Sequence, residues 1–109
     1  MTTITDKAPL LHAFKALSND YRWQILLWLK APETHFANRG NNPDDFQGGV
    51  CVGIITQKTG LAQSVVSSYL HHLKAVGLVE SKRIGKWTYY RYNHQAVAAF
   101  LASLNETLN

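Results

Sequence analysis

A mainly α-helical fold with a small β-hairpin is predicted by three features of this 109-residue sequence. Apolar residues recur at helical spacing in several segments, two β-rich runs flank a Gly-Lys dipeptide, and glycines or capping residues separate these elements. The predicted order is α-α-(β)-α-α-β-β-α. The length and the hydrophobic content of 46% allow one core, so residues 1–109 are expected to form a single domain.

Two helices are predicted at the start of the chain. The segment 10–17 has apolar residues at i, i+3, i+4 and i+7, the pattern of an amphipathic helix. Asn19 and its polar neighbours can cap the next helix with their side-chain oxygens. That second helix, 21–30, is apolar on nearly every side and includes Trp23 and Trp28, so we expect it at the centre of the core.

The segment 31–49 is rich in Gly, Pro, Asn and Asp and is predicted to form a long loop inserted in the domain. A short strand over 49–52 and a short helix over 53–59 are expected to follow it.

A longer helix is predicted over 63–76. Gly60 suits the left-handed end of the preceding short helix, and Gly77 ends the longer one. The apolar residues expected on its buried side are Val66, Leu70, Leu73 and Val76.

A hairpin over 78–84 and 87–92 is predicted next. Gly85 at the first central position of its two-residue connection fits a type II′ turn. The aromatic residues of the second strand are expected to pack within the sheet; they are Trp87, Tyr89, Tyr90 and Tyr92. Asn93 can cap a last helix over 95–108.

The net charge of +4 lies entirely in residues 61–94, where five basic residues stand against the single acidic residue Glu80 (5 − 1 = +4). Basic and acidic residues balance in the rest of the chain. This localisation fits either a solvated basic face or a surface that binds an anionic polymer.

A short helix, a glycine turn and a longer helix make a helix-turn-helix, and a basic hairpin directly after it makes a wing. Small and hydrogen-bonding side chains on the longer helix can approach base edges, while the cations near the hairpin tip can neutralise phosphates. The candidate DNA-binding residues are Gln63, Ser64, Ser67, Ser68, Tyr69, His71, Lys82, Arg83 and Lys86. Alternatively, Gln63 and Ser64 cap the helix, and the hairpin cations are ordinary surface.

Three segments resemble the ArsR/SmtB winged helix-turn-helix repressors of bacteria. Residues 14–29 read FKALSNDYRWQILLWL and are similar to the ALADPTRLRIL block of that family. Residues 59–81 read TGLAQSVVSSYLHHLKAVGLVES and resemble its LGLSQSTVSHHLKVLREAGLV signature. Residues 83–93 read RIGKWTYYRYN and resemble its REGRWVYYRL wing.

The resemblance implies a homodimer that is held by its first and last helices and represses a promoter through a palindromic operator. It also implies a recognition helix that starts at Gln63, with Ser67, Ser68 and Tyr69 facing bases and phosphates. The residues expected at the dimer interface are Leu10, Phe14, Leu17, Val97, Phe100, Leu101 and Leu104. In a lone domain these residues would equally suit an ordinary core.

The sequence departs from the metal sites of this family. Relatives carry a pair of cysteines just before the helix-turn-helix; Cys51 matches the first, but Gly53 replaces the second. A second known site uses Asp and His on the last helix, where this chain has His94 near the first position and Thr107 in place of a required His. We therefore expect no metal site and no cofactor. A less favoured ion site in the loop would use Glu33, His35, Asp44 and Asp45.

Three signalling modes stay open. In the first, the protein has no effector. In the second, Cys51 acts as a redox switch. In the third, an unknown small-molecule effector binds an apolar pocket covered by Phe36 and Phe46. A redox role requires an exposed thiolate, whereas a cysteine between two valines is more often structural.

The sequence gives no glycine-rich phosphate loop and no triad or paired acids in a catalytic context, so we expect no enzyme. The alternative to a DNA-binding regulator is a winged-helix adaptor that binds proteins. With no long apolar run and no signal-peptide pattern, a cytoplasmic protein is expected.

Overall fold

The computed structural model describes residues 8–37 and 46–109. The element order in these residues is α1 (Ala8–Leu17), α2 (Asp20–Lys30), α3 (Pro32–His35), β1 (Val50–Cys51), α4 (Val52–Thr59), α5 (Gln63–Ala75), β2 (Val79–Ile84), β3 (Trp87–Tyr92) and α6 (His94–Leu108). The predicted mainly α-helical fold with a small hairpin is confirmed, and each predicted helix and strand is present to within one or two residues.

Helix ends form where the sequence supplies the groups that an open helix terminus needs. The Asn19 side-chain oxygen accepts bonds from the amides of Tyr21 and Arg22 at 2.9 and 3.0 Å and begins α2. The Asn93 oxygen accepts from the Ala96 amide at 3.1 Å and begins α6. Gly60 takes a left-handed φ of 74° at the end of α4, as predicted.

The three strands form one antiparallel sheet in the order β1-β3-β2. In the hairpin, Ile84 pairs with Trp87 across the Gly85-Lys86 turn. Gly85 has a φ of 63°, and no non-glycine residue in the described ranges has a positive φ. Positive φ at the first central residue alone is the pattern of the predicted type II′ turn.

One core joins α2, α4, α5 and the sheet. Its fully buried members come from each of these elements and include Ile25, Ile55, Val66, Leu70 and Val79. A smaller cluster on the other face of the sheet contains Phe46, Cys51 and Tyr89. Of the helices that the structure describes, none is long and apolar enough to cross a membrane.

The prediction of a loop throughout 31–49 is wrong at its start, where Pro32–His35 form one helical turn. Proline suits the first position of a helix, and Phe36 ends the turn by packing into the core edge-on to Trp28 at 6.3 Å. The composition of the segment did not indicate this turn, because the turn depends on one buried aromatic residue, Phe36. Residues 38–45, including Asp44 and Asp45 of the ion-site alternative, lie outside the described residues.

Two tryptophans are about half exposed. Helix α2 lies in the core as expected, through Ile25, Leu26 and Leu29, but the side chain of Trp23 on this helix is 49% exposed. Trp87 was expected to pack within the sheet and is 48% exposed beside the hairpin turn. Both are therefore large apolar side chains available to a partner molecule.

Candidate nucleic-acid interface and apolar helix face

The turn between α4 and α5 is rigidly built. The Thr59 hydroxyl donates to the Thr56 carbonyl at 2.8 Å and accepts from the Leu61 amide at 3.1 Å. Together with the left-handed Gly60, these bonds fix how the chain leaves α4 and enters α5. The two helices pack against each other as a helix-turn-helix does.

Helix α5 has one buried side and one polar side. Its apolar side is locked into the core by Val66, Leu70 and Leu73, which have no exposed surface. Of the predicted DNA-binding residues on this helix, Ser67 and Tyr69 are half-buried, and Tyr69 packs against the core. The exposed ones are Gln63, Ser64, Ser68 and His71. A rigid helix with short polar side chains on its outer face can approach the base edges of a major groove.

The capping alternative for Gln63 and Ser64 is wrong. Ala62 holds the N-cap position of α5, and no side chain bonds to the cap. Both polar side chains are exposed instead, so they are available to a ligand of this face.

Tyr69 has a different environment from the other predicted contact residues. Its ring stacks on that of Tyr21, with centroids 6.1 Å apart and an interplanar angle of 14°. The Arg22 guanidinium lies over the same ring at 5.7 Å. Tyr69 thus faces the beginning of α2 as well as solvent.

The wing carries its cations near the tip. Lys82, Arg83 and Lys86 are all exposed. Arg83 Nε donates to the Gly85 carbonyl at 3.2 Å, and Lys86 Nζ lies 5.3 Å from the centre of the Trp87 ring. Since neighbouring strand residues point to opposite faces, Lys82 and Arg83 place positive charge on both sides of the hairpin.

Arg91, which also belongs to the basic segment, is engaged within the protein. Its Nε pairs with the Glu80 carboxylate at 2.9 Å, a second nitrogen donates to the Gln47 carbonyl at 3.4 Å, and the guanidinium lies 4.2 Å from the Phe46 ring centre. These contacts anchor the segment before β1 to the wing. Arg91 is therefore less able to bind a phosphate than an arginine without such contacts would be.

Helices α1 and α6 form an apolar face on a different part of the molecule. The rings of Phe14 and Phe100 meet edge-on with centroids 5.5 Å apart. Phe14 stays 42% exposed and Leu101 56% exposed, and α6 has no buried residue along its length. Of the other residues predicted at the interface, Leu10, Leu17, Val97 and Leu104 are half-buried.

The sequence-based interface set missed several exposed apolar residues near this face, among them Leu108 at the end of α6. Leu11 on α1 and Trp23 on α2 are both largely exposed. Trp23 lines an open apolar cavity of about 510 Å³ between α1, α2 and α6, together with Phe14, Phe100 and Leu101. Helical spacing alone could have identified Leu11. It could not identify Trp23, because α2 has apolar residues on nearly every side.

The environment of Cys51 bears on the sensing hypotheses. The thiol is 7% exposed and packs with Phe46 and Tyr89. This burial favours the structural interpretation over the exposed thiolate that a redox role requires. No group of three or more His, Cys, Asp or Glu side chains within residues 8–37 and 46–109 is arranged to hold a metal ion.

The pocket expected for a small-molecule effector does not have the predicted cover. Phe36 packs against Trp28, and Phe46 packs against Cys51 and Tyr89. Neither phenylalanine lines the apolar cavity beside α6. Both aromatic side chains are buried in the protein's own core, and Phe36 also lines a separate open cavity beside α4 with Ile54 and Lys58.

Comparison with known proteins agrees with this geometry, although no protein-family model matches the chain. It is 47% identical over 88 residues to the "Uncharacterized HTH-type transcriptional regulator YbzH" of Bacillus subtilis, covering 80% of this chain and 86% of that protein. It is 35% identical over 80 residues to the "Putative arsenical resistance operon repressor ArsR2" of Halobacterium salinarum, covering 73% of this chain and 56% of that protein.

Among solved structures, the homodimeric winged helix-turn-helix DNA-binding domain Mb0332 from Mycobacterium bovis is similar in fold. Its TM-score is 0.65 at 27% identity, with 97% of this chain and 87% of that chain covered. The resemblance stated from the sequence is thus confirmed. The chain belongs to the ArsR family of winged helix-turn-helix transcriptional regulators.

Proposed function

We propose that this chain is a DNA-binding transcriptional repressor that acts in the cytoplasm as a homodimer on a palindromic operator. The observation that carries the proposal is the rigid helix α5, whose polar outer face is followed directly by a wing with three exposed cations at its tip. The helix reads base edges through Gln63, Ser64, Ser67, Ser68 and His71, while Lys82, Arg83 and Lys86 neutralise phosphates.

The dimer is supported by the apolar face of α1 and α6. A helix without a buried residue, beside several large exposed apolar side chains, is poorly stabilised in an isolated domain. A second copy packed across the same face by two-fold symmetry covers both sets of side chains at once. The two copies of α5 then bind two half-sites of the same sequence, which gives the operator its palindromic form.

The regulator is not a typical metal sensor. The second cysteine of the family site is Gly53, and Cys51 is buried among aromatic rings. Soft metals and arsenite require two or three thiolates. DNA occupancy then follows the concentration of the protein, with oxidation of Cys51 as the alternative signal.

Fluorescence anisotropy against DNA from upstream of its own gene, with random DNA as the competitor, tests the proposal. It is run over a series of salt concentrations in reductant and chelator, and repeated with added zinc and with oxidant. Tight binding that prefers the upstream DNA and weakens steeply with salt supports the repressor. Equal, weak binding to both DNAs at every salt concentration would favour the protein-binding adaptor.

A further inference from the structure

Two neighbouring residues at the beginning of α2 hold Tyr69 of the recognition helix. The Tyr21 ring lies nearly parallel to the Tyr69 ring, and the Arg22 guanidinium lies 5.7 Å from its centre. That distance is within the range of a cation-π contact. Because Tyr69 belongs to α5, the position of this helix is tied to the position of Arg22.

The same guanidinium also binds the end of α1. Its Nε donates to the Ala16 carbonyl at 2.5 Å, and an Nη donates to the Lys15 carbonyl at 3.3 Å. These carbonyls lie in the last turn of α1, where a positive charge is favoured. The Lys15 carbonyl also accepts a bond from the Ser18 amide at 3.2 Å, so Arg22 is its second donor. Arg22 therefore joins the end of α1 to a ring of α5.

Helix α1 is in turn joined to α6 by the contact between Phe14 and Phe100. A continuous series of contacts thus runs from the apolar face of α1 and α6, through Arg22 and Tyr69, to the helix with the polar outer face. Each contact joins groups on different helices, so the series connects the apolar face to α5.

We propose that Arg22 is a positioning residue that sets the recognition helix at a fixed distance and angle from the dimer helices. This inference rests on the proposed function, because the two copies of α5 must enter major grooves about 34 Å apart on one face of the duplex. Loosening Arg22 lets each α5 shift relative to its partner. Affinity is then lost for operators with two half-sites, although Arg22 need not contact a base.

Pulsed dipolar spectroscopy on the DNA-free protein measures this spacing directly. A nitroxide is attached at Ser68→Cys on the exposed side of α5, in a Cys51→Ala background, and the distance between the two labels of a dimer is recorded. We expect one narrow distribution in this reference protein. Arg22→Gln, which removes the cation, and Tyr69→Leu, which removes the ring, both broaden it.

Two matched variants separate positioning from general effects. Tyr69→Phe keeps the ring, and Lys15→Gln removes a positive charge from the same end of α1 without removing its carbonyl; both keep the narrow distribution. The double variant Arg22→Gln/Tyr69→Leu is no broader than either single one, because both changes break the same connection. Melting temperatures are recorded for every variant, so that broadening is compared among equally folded proteins.

The outcomes are distinct. An unchanged distribution in Arg22→Gln, or equal broadening in Lys15→Gln, would overturn the role of Arg22. A reference protein without any dipolar signal between labels would instead overturn the proposed dimer, and the role of Arg22 with it. In a separate titration without labels, Arg22→Gln lowers affinity for the two-half-site operator about tenfold, or roughly 1.4 kcal/mol, and leaves random-DNA affinity unchanged.

Discussion

Phe14 and Phe100 meet edge to face, with their ring planes inclined at 73°. This contact joins the first and last helices inside one protomer, yet it leaves much of Phe14 on the surface. The exposed side chains of Leu11 and Leu101 lie on the same two helices. The pair therefore lies at an exposed apolar surface rather than in a closed core.

Replacing Leu101 by Glu should dissociate the proposed dimer. The side chain is mostly exposed in one protomer, so the fold tolerates the change, but a two-fold interface would bury two unpaired carboxylates. We expect the dimer dissociation constant, measured by analytical ultracentrifugation, to rise by about 100-fold or more. Val65→Glu, at an exposed apolar position of α5, is the control and should leave the dimer intact. A dimer equally stable in both variants would remove α6 from the interface.

Replacing Lys82, Arg83 and Lys86 by Ala should weaken binding to any DNA sequence. Each lost phosphate contact lowers the slope of log K against log salt by about 0.9, so three contacts per protomer give a large, measurable change. Lys15→Ala/Lys30→Ala removes exposed cations outside the wing and should change the slope little. If the triple variant kept the wild-type slope in a salt titration, the wing would not contact phosphates.

Replacing Gln63 or Ser68 by Ala should reduce discrimination rather than overall affinity. Each good base contact contributes roughly 1–3 kcal/mol of preference for the correct base pair. The ratio of operator to random-DNA affinity, measured by competition, should therefore fall while the random-DNA affinity stays constant. Equal losses on both DNAs would mean that these side chains only position the backbone.

The regular elements could be predicted because their patterns are local. Helical spacing in α1, α5 and α6 and the Gly85 turn each depend on residues close in sequence, and the structure places them as expected. The short turn at Pro32–His35 could not be predicted, since it depends on Phe36 reaching a distant core.

The candidate site likewise has one feature that local patterns predict and others that depend on contacts between distant residues. The outward polar side of α5 follows from its buried stripe, which the sequence displays. In contrast, the contact of Tyr69 with Arg22 joins residues from different helices, and only the packed fold brings them together. Periodicity likewise could not distinguish Trp23 from its buried neighbours, because α2 has apolar residues on nearly every side.

Native Cys51 should react slowly with a thiol reagent such as Ellman's reagent. Its burial beside Phe46 and Tyr89 restricts access, so labelling requires local or global unfolding. Gln57→Cys provides an exposed thiol on α4 for comparison, and it should react far faster in the same protein. Rapid reaction of Cys51 in the wild type, together with loss of DNA binding on oxidation, would restore the redox alternative.

Alkaline stability should depend on Tyr90, because burial raises the pKa of its phenol. The folded state then holds the phenolic proton more tightly than the unfolded state does. The contribution of the Tyr90 phenol to the free energy of unfolding is complete below about pH 10, the ordinary pKa of tyrosine. It is lost as the pH rises through the higher pKa of the folded state. Tyr90→Phe should show a shallower fall in urea midpoint than the wild type between about pH 9 and 11. Parallel curves for Tyr90→Phe and the wild type would contradict this assignment.

Selection from fragmented genomic DNA of the source organism tests sequence-specific recognition by a dimer most directly. Purified protein is incubated with the fragments near physiological salt, and the bound DNA is sequenced beside a Gln63→Ala/Ser68→Ala control. We predict enrichment of an imperfect palindrome whose half-sites lie about one helical turn apart, with enrichment lost in the control. Recovery of fragments without a shared sequence, or of the same sequences with the control, would contradict recognition through α5.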